Sequence, residues 1–261
     1  MSRPDYPKIA SREEWLVARK ALLEQEKALT RQRDALNAER RRLPMVKVQA
    51  DYRFQGPRGE VGLAELFEGR SQLIVYHFMY HLDRHVGCEG CSSLVDNIGH
   101  QAHLHARDTN LVLVSRAPLA DLEAFKRRMG WTLPWYSSYG SRFNYDYHVT
   151  ADEQVAPVEY NYRDKAELER LGLNAHLQGE LPGVSVFLRD GAQVYHCYSS
   201  YARGLELLMG SFHYLDLTPF GRGEGWDGMP DLDGKGLNWT RLHDEYQQAP
   251  AVHDCCAAAK A

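Results

Sequence analysis

The chain has 261 residues, of which 44% are hydrophobic and 25% charged, with 31 Lys and Arg against 35 Asp and Glu. These values describe a soluble globular protein with one large domain or a domain with extensions. The formal net charge of −4 lacks the basic excess of a nucleic-acid-binding protein, so no nucleic-acid partner is expected. The apolar runs are far shorter than the roughly 20 residues that span a bilayer, and the first residues contain no signal-peptide core. We therefore expect a cytoplasmic protein without a membrane partner.

Residues 11–42 form the first predicted element, a long helix. Ser11 and Glu14 have the spacing of a capping box, and Pro44 ends the helix. A large apolar residue recurs at every seventh position: Trp15, Leu22, Leu29, Leu36 and Leu43. This narrow stripe could lie across the domain or pair two copies of the chain as a homodimer. We assign residues 1–45 to an N-terminal helical extension.

From residue 46 onward the pattern changes to short strands, turns and short helices. Strands are predicted at residues 46–54, 73–80, 111–114, 184–188 and 193–197, and helices at residues 62–68, 91–106, 119–129 and 201–209. The order β-α-β-α, an insertion and then β-β-α predicts an α/β protein with a thioredoxin-like fold and a right-handed parallel crossover. Residues 46–246 form the predicted domain, with an aromatic-rich insertion at about residues 131–180. Residues 247–261 are a predicted flexible tail.

Two of the five cysteines form a C-x-x-C motif, Cys88 and Cys91, between a predicted buried strand and a helix. In a reducing cytosol structural disulfides are rare, and an odd number of cysteines cannot all pair. Free backbone N–H groups and the helix dipole at a helix N-terminus stabilise a thiolate and lower the pKa of the first cysteine. Cys88 is therefore the predicted nucleophile, and Cys91, about one turn later, is the predicted resolving thiol.

The same segment also allows a metal site. Half of the twelve histidines lie within residues 77–105, and four candidate ligands for zinc or copper fall within eleven residues: His81, His85, Cys88 and Cys91. No organic cofactor is indicated, because the chain has neither a G-x-G-x-x-G fingerprint nor a P-loop. A third interpretation is a non-catalytic binding protein on a thioredoxin-like fold, with the aromatic insertion as its groove.

Three further residues are candidates for the site. Pro182 precedes the strand at residues 184–188, the place where thioredoxin-like domains have a cis-proline beside the dithiol. Its alternative role is to fix φ in a loop. Arg116 follows the second buried strand, where α/β sheets bind ligands, and could steer an anionic substrate or stabilise a thiolate. Its alternative is a surface or helix-capping arginine. His85 could act as a base or as an electrostatic partner of Cys88, or be an exposed loop residue.

The remaining cysteines have weaker signals. Cys197, in the predicted hairpin, is expected to be a buried small hydrophobic residue. Cys255 and Cys256 lie beside His253 in the tail, where vicinal thiols could pass electrons to the C-x-x-C or bind soft metals, although Ala and Lys provide no pocket.

Several segments together resemble a bacterial thioredoxin-like family, domain of unknown function 899, whose members are described as predicted dithiol-disulfide oxidoreductases related to peroxiredoxins. They are LIVYHFMY (73–80), GCEGCS (87–92), LVLVSRAPL (111–119), FKRRMGWTLPWYSSYGSRFNYDY (125–147), LPGVSVF (181–187), YSSYARG (198–204), YLDLTPFGR (214–222) and HDEY (243–246). The resemblance covers most of residues 11–246. It implies redox roles for Cys88 and Cys91 and identifies Pro182 as the cis-proline of the fold.

The sequence departs from related patterns at two places. Glu89 follows the first cysteine where family members often have Pro. Peroxiredoxins of the alkyl hydroperoxide reductase type have Pro-x-x-x-Thr/Ser-x-x-Cys, whereas His81 and His85 hold those positions before Cys88, so an efficient peroxidase is not expected. We expect a thiol-disulfide oxidoreductase that acts on a disulfide-containing or oxidised-sulfur substrate and is regenerated by an external thiol or reductase.

Overall fold

A computed structural model describes residues 7–222 and 239–246. Its α-helices are α1 (Arg12–Arg40), α2 (Glu89–Asp96), α3 (Ala102–His105), α4 (Leu119–Arg128), α5 (Phe143–Asp146), α6 (Lys165–Arg170) and α7 (Gly210–Leu215). Short 3-10 helices cover Glu65–Phe67, Asn174–His176 and Ala202–Leu208. The strands are β1 (Val46–Lys47), β2 (Arg53–Gly56), β3 (Gly59–Gly62), β4 (Gln72–His77), β5 (Tyr80–His81), β6 (Val86–Gly87), β7 (Thr109–Ser115), β8 (Trp135–Ser137), β9 (Thr150–Ala151), β10 (Glu159–Tyr160), β11 (Arg163–Asp164), β12 (Gly179–Glu180), β13 (Gly183–Asp190) and β14 (Gln193–Tyr201).

Eight of these strands form one mixed sheet in the order β1-β14-β13-β4-β7-β8-β2-β3. β4 runs parallel to β7, and β7 runs parallel to β8, whereas β13 is antiparallel to both β4 and β14. The unit β4-α2-β7-α4 followed by the hairpin β13-β14 gives the central order β7-β4-β13-β14. This is the thioredoxin-like topology, so the predicted α/β fold with a long N-terminal helix is confirmed.

The sheet is covered on both faces, which explains the nearly continuous apolar sequence of β4. On one face Tyr76 packs with residues of α2 and α4, such as Leu94 and Leu122. On the other face Val75 packs with side chains of the 131–180 segment, including Phe143. The two cysteines of the motif belong to the face covered by α2 and α4.

The aromatic residues of the 131–180 segment mostly cover the sheet. β8 pairs with β7 and places Trp135, which is fully buried, in the core. Phe143 and Tyr147 pack against each other with tilted rings whose centroids are 4.7 Å apart, and Phe143 meets Phe54 edge-on at 4.9 Å. In contrast, Tyr139 is 55% exposed and lies outside this core.

The predicted helix at residues 91–106 is interrupted. The α2 helix ends at Asp96, and α3 begins only at Ala102. The Asn97 side chain donates to the Ser93 carbonyl (2.7 Å) and to Ser211 Oγ (3.1 Å), and it accepts from Ser211 N (2.6 Å). These bonds tie the end of α2 to α7, so a tertiary contact overrides the local helical preference.

Two other predicted elements differ from the structure. The strand predicted at residues 46–54 is wrong, because β1 pairs with β14 at one edge of the sheet while β2 pairs with β8 near the other edge. The helix predicted at residues 201–209 is a 3-10 helix at Ala202–Leu208, followed by α7. Pairing with distant strands therefore divides the first element, whereas the second forms at the predicted place as a different type of helix.

The α1 helix lies mostly in solvent, and none of its residues is buried. Ser11 Oγ accepts from Glu14 N at 3.2 Å, and Glu14 Oε2 accepts from Ser11 N at 2.9 Å, which confirms the capping box. The apolar stripe stays exposed, with Leu29 at 66% and Leu36 at 57%. It therefore does not lie across the domain, and pairing with a second copy stays a prediction. No helix in the described ranges is long and apolar enough to cross a membrane.

Candidate active site

The C-x-x-C motif lies just beyond the carboxyl end of β4, one of the central strands. The β5-β6 hairpin returns the chain to the sheet, where Cys88 N donates to the Met79 carbonyl at 3.1 Å. A Cβ atom on Gly87 would lie 2.5 Å from the Phe125 ring and 2.7 Å from the Phe78 ring, so this close approach requires glycine. Cys88 is the N-cap of α2, with φ −61° and ψ 135°. The sequence predicts this placement at a helix N-terminus.

The two thiols differ in exposure and in pKa. Cys88 is half-buried, Cys91 is 2% exposed, and both are free thiols. A hydrogen bond from the Cys91 thiol is the largest cause that lowers the pKa of Cys88 to about 5. Burial of Cys88 raises its pKa, whereas hydrogen bonds from the His81 side chain and the Gly90 backbone N–H lower it. Cys88 is therefore a thiolate at neutral pH.

The Cys91 thiol keeps its proton. Burial raises its pKa well above the usual range, and its hydrogen bond to Cys88 acts in the same direction. The Tyr76 hydroxyl donates to the Cys91 sulfur, which acts the other way. Tyr76 is 2% exposed, and burial raises its own pKa well above the usual range, so it stays a neutral donor. Cys88, Cys91 and Tyr76 thus form a hydrogen-bonded series from half-buried Cys88 into the core.

The two loop histidines have different surroundings. His81, on β5, donates to the Cys88 sulfur. His85 has φ +50° and a side chain that is 71% exposed, and its Nδ1 lies 3.3 Å from Asp121 Oδ2 on α4. The histidine that contacts the thiolate is therefore His81. His85 is an exposed loop residue paired with α4, and its predicted role as a base or electrostatic partner stays a prediction.

The four candidate zinc or copper ligands are not brought together as one set. Among residues 7–222 and 239–246, no three His, Cys, Asp or Glu side chains lie in an arrangement that could hold a metal ion. His81 contacts Cys88, whereas His85 faces Asp121. The zinc or copper alternative therefore stays a prediction for metal analysis.

Pro182 lies directly before β13, and the next residue, Gly183, pairs with His77 at the end of β4. The Leu181–Pro182 peptide bond is trans, so the cis-proline implied by the family resemblance is wrong. The trans form is the favoured isomer of an X–Pro bond. Here the Pro182 carbonyl accepts a hydrogen bond from the Tyr160 hydroxyl at 2.9 Å, which holds it against the insertion.

Arg116 lies at the same edge of the sheet as the dithiol, directly after β7. Its guanidinium is 3.4 Å from Glu180 Oε1 and 5.2 Å from the centre of the Tyr145 ring. Glu180 Oε2 also accepts from Thr150 Oγ1 (2.8 Å) and Asn144 Nδ2 (3.2 Å). Burial raises the pKa of Glu180, and these donors and Arg116 act in the opposite direction. Arg116 is therefore part of a half-buried ion pair rather than a helix cap or an unpaired surface residue.

A second polar series lies on the opposite face of the sheet from the dithiol. His77 Nε2, Ser185 Oγ, Ser199 Oγ and His196 Nε2 are linked in that order, with 2.8 Å at each step. It crosses β4, β13 and β14. Burial, with a smaller contribution from His196, lowers the pKa of His77 to about 3. His77 is therefore neutral at physiological pH.

Sequence reasoning missed Tyr76 and Glu180. A tyrosine inside an apolar strand is typical of core packing, and only the position of Cys91 identifies Tyr76 as a donor to sulfur. Glu180 precedes a Leu-Pro-Gly segment and carries no motif of its own. Cys197 is half-buried in β14, and burial raises the pKa of its thiol. Cys255, Cys256 and the rest of the predicted tail lie outside the described residues.

Comparisons with known proteins give a family and distant structural likenesses. A family model described as a bacterial protein of unknown function (DUF899) matches residues 4–246. No curated protein matches the chain. Similar solved structures include a protein assigned as thiol:disulfide interchange protein DsbE from Chlorobium tepidum, 13% identical with a TM-score of 0.38, over 66% of this chain and 97% of that chain. The bacterioferritin comigratory protein of Xanthomonas campestris is 9% identical with a TM-score of 0.38, over 65% of this chain and 96% of that chain. A peroxiredoxin Q mutant of the same organism is 12% identical with a TM-score of 0.38, over 66% of this chain and 98% of that chain. Likenesses at these identities and TM-scores do not establish what this chain does.

Proposed function

The chain belongs to this bacterial family of unknown function, and we propose that it is a thiol-disulfide oxidoreductase that uses the Cys88–Cys91 dithiol. One observation carries the proposal. A half-buried cysteine at the N-terminus of α2 has its pKa lowered to about 5, and it accepts a hydrogen bond from a buried cysteine whose pKa is raised. A thiolate at neutral pH is the species that attacks a disulfide, and a neighbouring protonated thiol can resolve the product.

The reaction on a substrate disulfide R–S–S–R′ has two steps. The Cys88 thiolate attacks one substrate sulfur, an S–S bond forms between Cys88 and R–S, and R′–S⁻ leaves with the electron pair of the broken bond. The Cys91 thiol then gives its proton to the departing R′–S⁻, and the resulting Cys91 thiolate attacks the Cys88 sulfur. The Cys88–Cys91 disulfide forms, and R–S⁻ leaves and takes a proton from water. The substrate gains two electrons, and an external thiol or reductase returns two electrons to the protein.

Neighbouring side chains support these steps in different ways. His81 donates to the Cys88 sulfur and stabilises the attacking thiolate. Tyr76 donates to the Cys91 sulfur, so it stabilises the negative charge that Cys91 acquires in the second step. Arg116 is balanced by Glu180 at 3.4 Å, so we assign it to holding the edge of the sheet rather than to steering an anionic substrate.

A redox titration of the full chain tests the proposal. Thiol alkylation after equilibration with mixtures of reduced and oxidised glutathione should show a reversible two-electron transition of the Cys88–Cys91 pair. Cys88→Ser should abolish disulfide reduction, and Cys91→Ser should accumulate a mixed disulfide on Cys88, because the resolving thiol is missing. Cys197→Ser is the matched control, since Cys197 lies on β14 outside the motif and should leave the transition unchanged.

Two results would contradict the proposal. The first is a Cys88–Cys91 pair that fails to oxidise reversibly in any glutathione mixture. The second is a Cys88→Ser variant that reduces disulfides as fast as the native chain. Metal content is measured on the same untagged sample, because stoichiometric zinc or copper that is lost in Cys88→Ser would favour the metal-binding alternative.

A further inference from the structure

An apolar cavity of about 430 Å³ lies on the sheet face that carries α2, beside the 3-10 helix Ala202–Leu208. Its apolar walls are formed by residues of both layers, among them Ile74, Leu94, Ile98, Val186 and Leu207. Its volume falls within the range of about 300–1,000 Å³ that is usual for small-molecule sites. Protein interiors are close-packed and contain few voids larger than a water molecule. An apolar cavity of this size on the central strands is therefore a candidate binding site.

The cavity exists because α2 is short. A continuous helix over residues 91–106 would have covered the central strands, but α2 ends at Asp96 and residues 97–101 are not helical. As a result Ile74 on β4 and Val186 on β13 stay half-buried, although both strands lie in the middle of the sheet. Covering this apolar surface with an apolar ligand removes it from water, which is favourable.

The cavity also has one cationic side chain. Arg40, at the end of α1, lines it together with Tyr198, and the guanidinium lies 4.9 Å from the centre of the Tyr198 ring. Arg40 Nη1 donates to Asn37 Oδ1 at 2.5 Å. Within the described ranges no carboxylate is paired with Arg40. A guanidinium of this kind presents a planar set of donors that matches a carboxylate.

We propose that this cavity binds an aliphatic carboxylate of the fatty-acid type, with the hydrocarbon chain between α2 and the sheet and the carboxylate on Arg40. The apolar walls and Arg40, which is the one cation among the described lining residues, select an amphipathic anion over a neutral apolar molecule or a polar one. The site is separate from the dithiol, because neither Cys88 nor Cys91 lines it. The Tyr76 ring does line it, and the Tyr76 hydroxyl donates to Cys91, so the ligand lies one side chain away from the resolving thiol.

Calorimetric titration of the full chain with dodecanoate tests this site. The native chain should bind one dodecanoate, and dodecanol should bind more weakly. Arg40→Gln should weaken dodecanoate binding about tenfold, which corresponds to the loss of one charge-assisted hydrogen bond. Arg31→Gln is the matched control, because Arg31 is exposed on the same helix and does not line the cavity. Cys88→Ser should bind normally, which separates this proposal from the proposed redox function.

A second test of this site uses a variant whose new side chain fills the cavity. Val186→Trp should abolish binding, and circular dichroism checks that it folds. Leu207→Trp fills the cavity from a position that is 57% exposed, so it serves if Val186→Trp fails to fold. Absence of saturable dodecanoate binding by the native chain, or equal binding by a folded cavity-filling variant, would overturn the proposal. A native chain that ignores dodecanoate but self-associates, and becomes monomeric in Leu207→Trp, would instead assign this face to contact between copies.

Discussion

The hydrogen bond from Cys91 to Cys88 makes a quantitative prediction about the nucleophile. It is the largest cause of the low pKa of Cys88, ahead of the His81 side chain and the backbone N–H groups. Cys91→Ala removes this donor and leaves His81 and the N-terminus of α2 in place. Cys91→Ser keeps an O–H donor at the same position and is the matched control. The pKa of Cys88 should therefore rise in Cys91→Ala and rise less in Cys91→Ser.

The size of the shift follows from the strength of the bond. A hydrogen bond to a charged group contributes about 1.5–3 kcal/mol, and about 1.4 kcal/mol corresponds to one pKa unit, so the shift is about one to two units. The pKa of Cys88 is about 5 in the native chain. At pH 6 the thiolate fraction should then fall from about nine-tenths in the native chain to about half or less in Cys91→Ala.

The assay is the rate of alkylation of Cys88 by iodoacetamide between pH 4 and pH 9. Cys197, Cys255 and Cys256 are replaced by Ser in every variant, so that no cysteine outside the C-x-x-C motif reacts. Because only the thiolate is alkylated, the pH at the midpoint of the rate profile gives the pKa of Cys88. His81→Gln should raise the midpoint less than Cys91→Ala, because the His81 contribution is the smaller one. A Cys91→Ala midpoint equal to that of the native chain, or a larger shift in His81→Gln, would refute this account of the site.

Three further predictions concern stability and assembly. Burial lowers the pKa of His77 from 6.5 to about 3. Below pH 6.5 the unfolded chain therefore binds a proton that the folded chain does not, and the free energy of unfolding falls as the pH drops from 6.5 towards 3. By pH 4 the loss should reach about 3 kcal/mol in urea unfolding, and His77→Phe should lack this part of the pH dependence. Arg116→Gln should destabilise the chain by about 1–3 kcal/mol in the same assay, more than Arg31→Gln, because it leaves the half-buried Glu180 carboxylate without its cation. Finally, sedimentation velocity should show a dimer that Leu29→Glu converts to a monomer, since this exposed leucine lies in the heptad stripe of α1; a native monomer would contradict it.

Local patterns in the sequence were sufficient for much of the fold. The capping box of α1, the apolar sequences of β4 and β7, and the Asp190–Gly191 turn of the β13-β14 hairpin all arise from interactions between near neighbours in the chain. Their order was enough to predict the thioredoxin-like topology and to place Cys88 between a strand and a helix. Patterns of this kind identify an element wherever neighbouring residues decide its conformation.

Only the tertiary structure decided which side chains meet at the site. The sequence predicts His85 as the partner of Cys88, but in the folded chain His81 contacts Cys88 and His85 faces Asp121. Asn97 ends α2 because its side chain bonds to a serine 114 residues away, and the apolar cavity follows from that break. Hydrogen bonds and packing between distant segments leave no periodic pattern in the chain. For this reason the sequence by itself determined the fold and the dithiol, whereas the contacts that set the thiol pKa values, the trans Pro182 and the cavity under α2 depended on the folded structure.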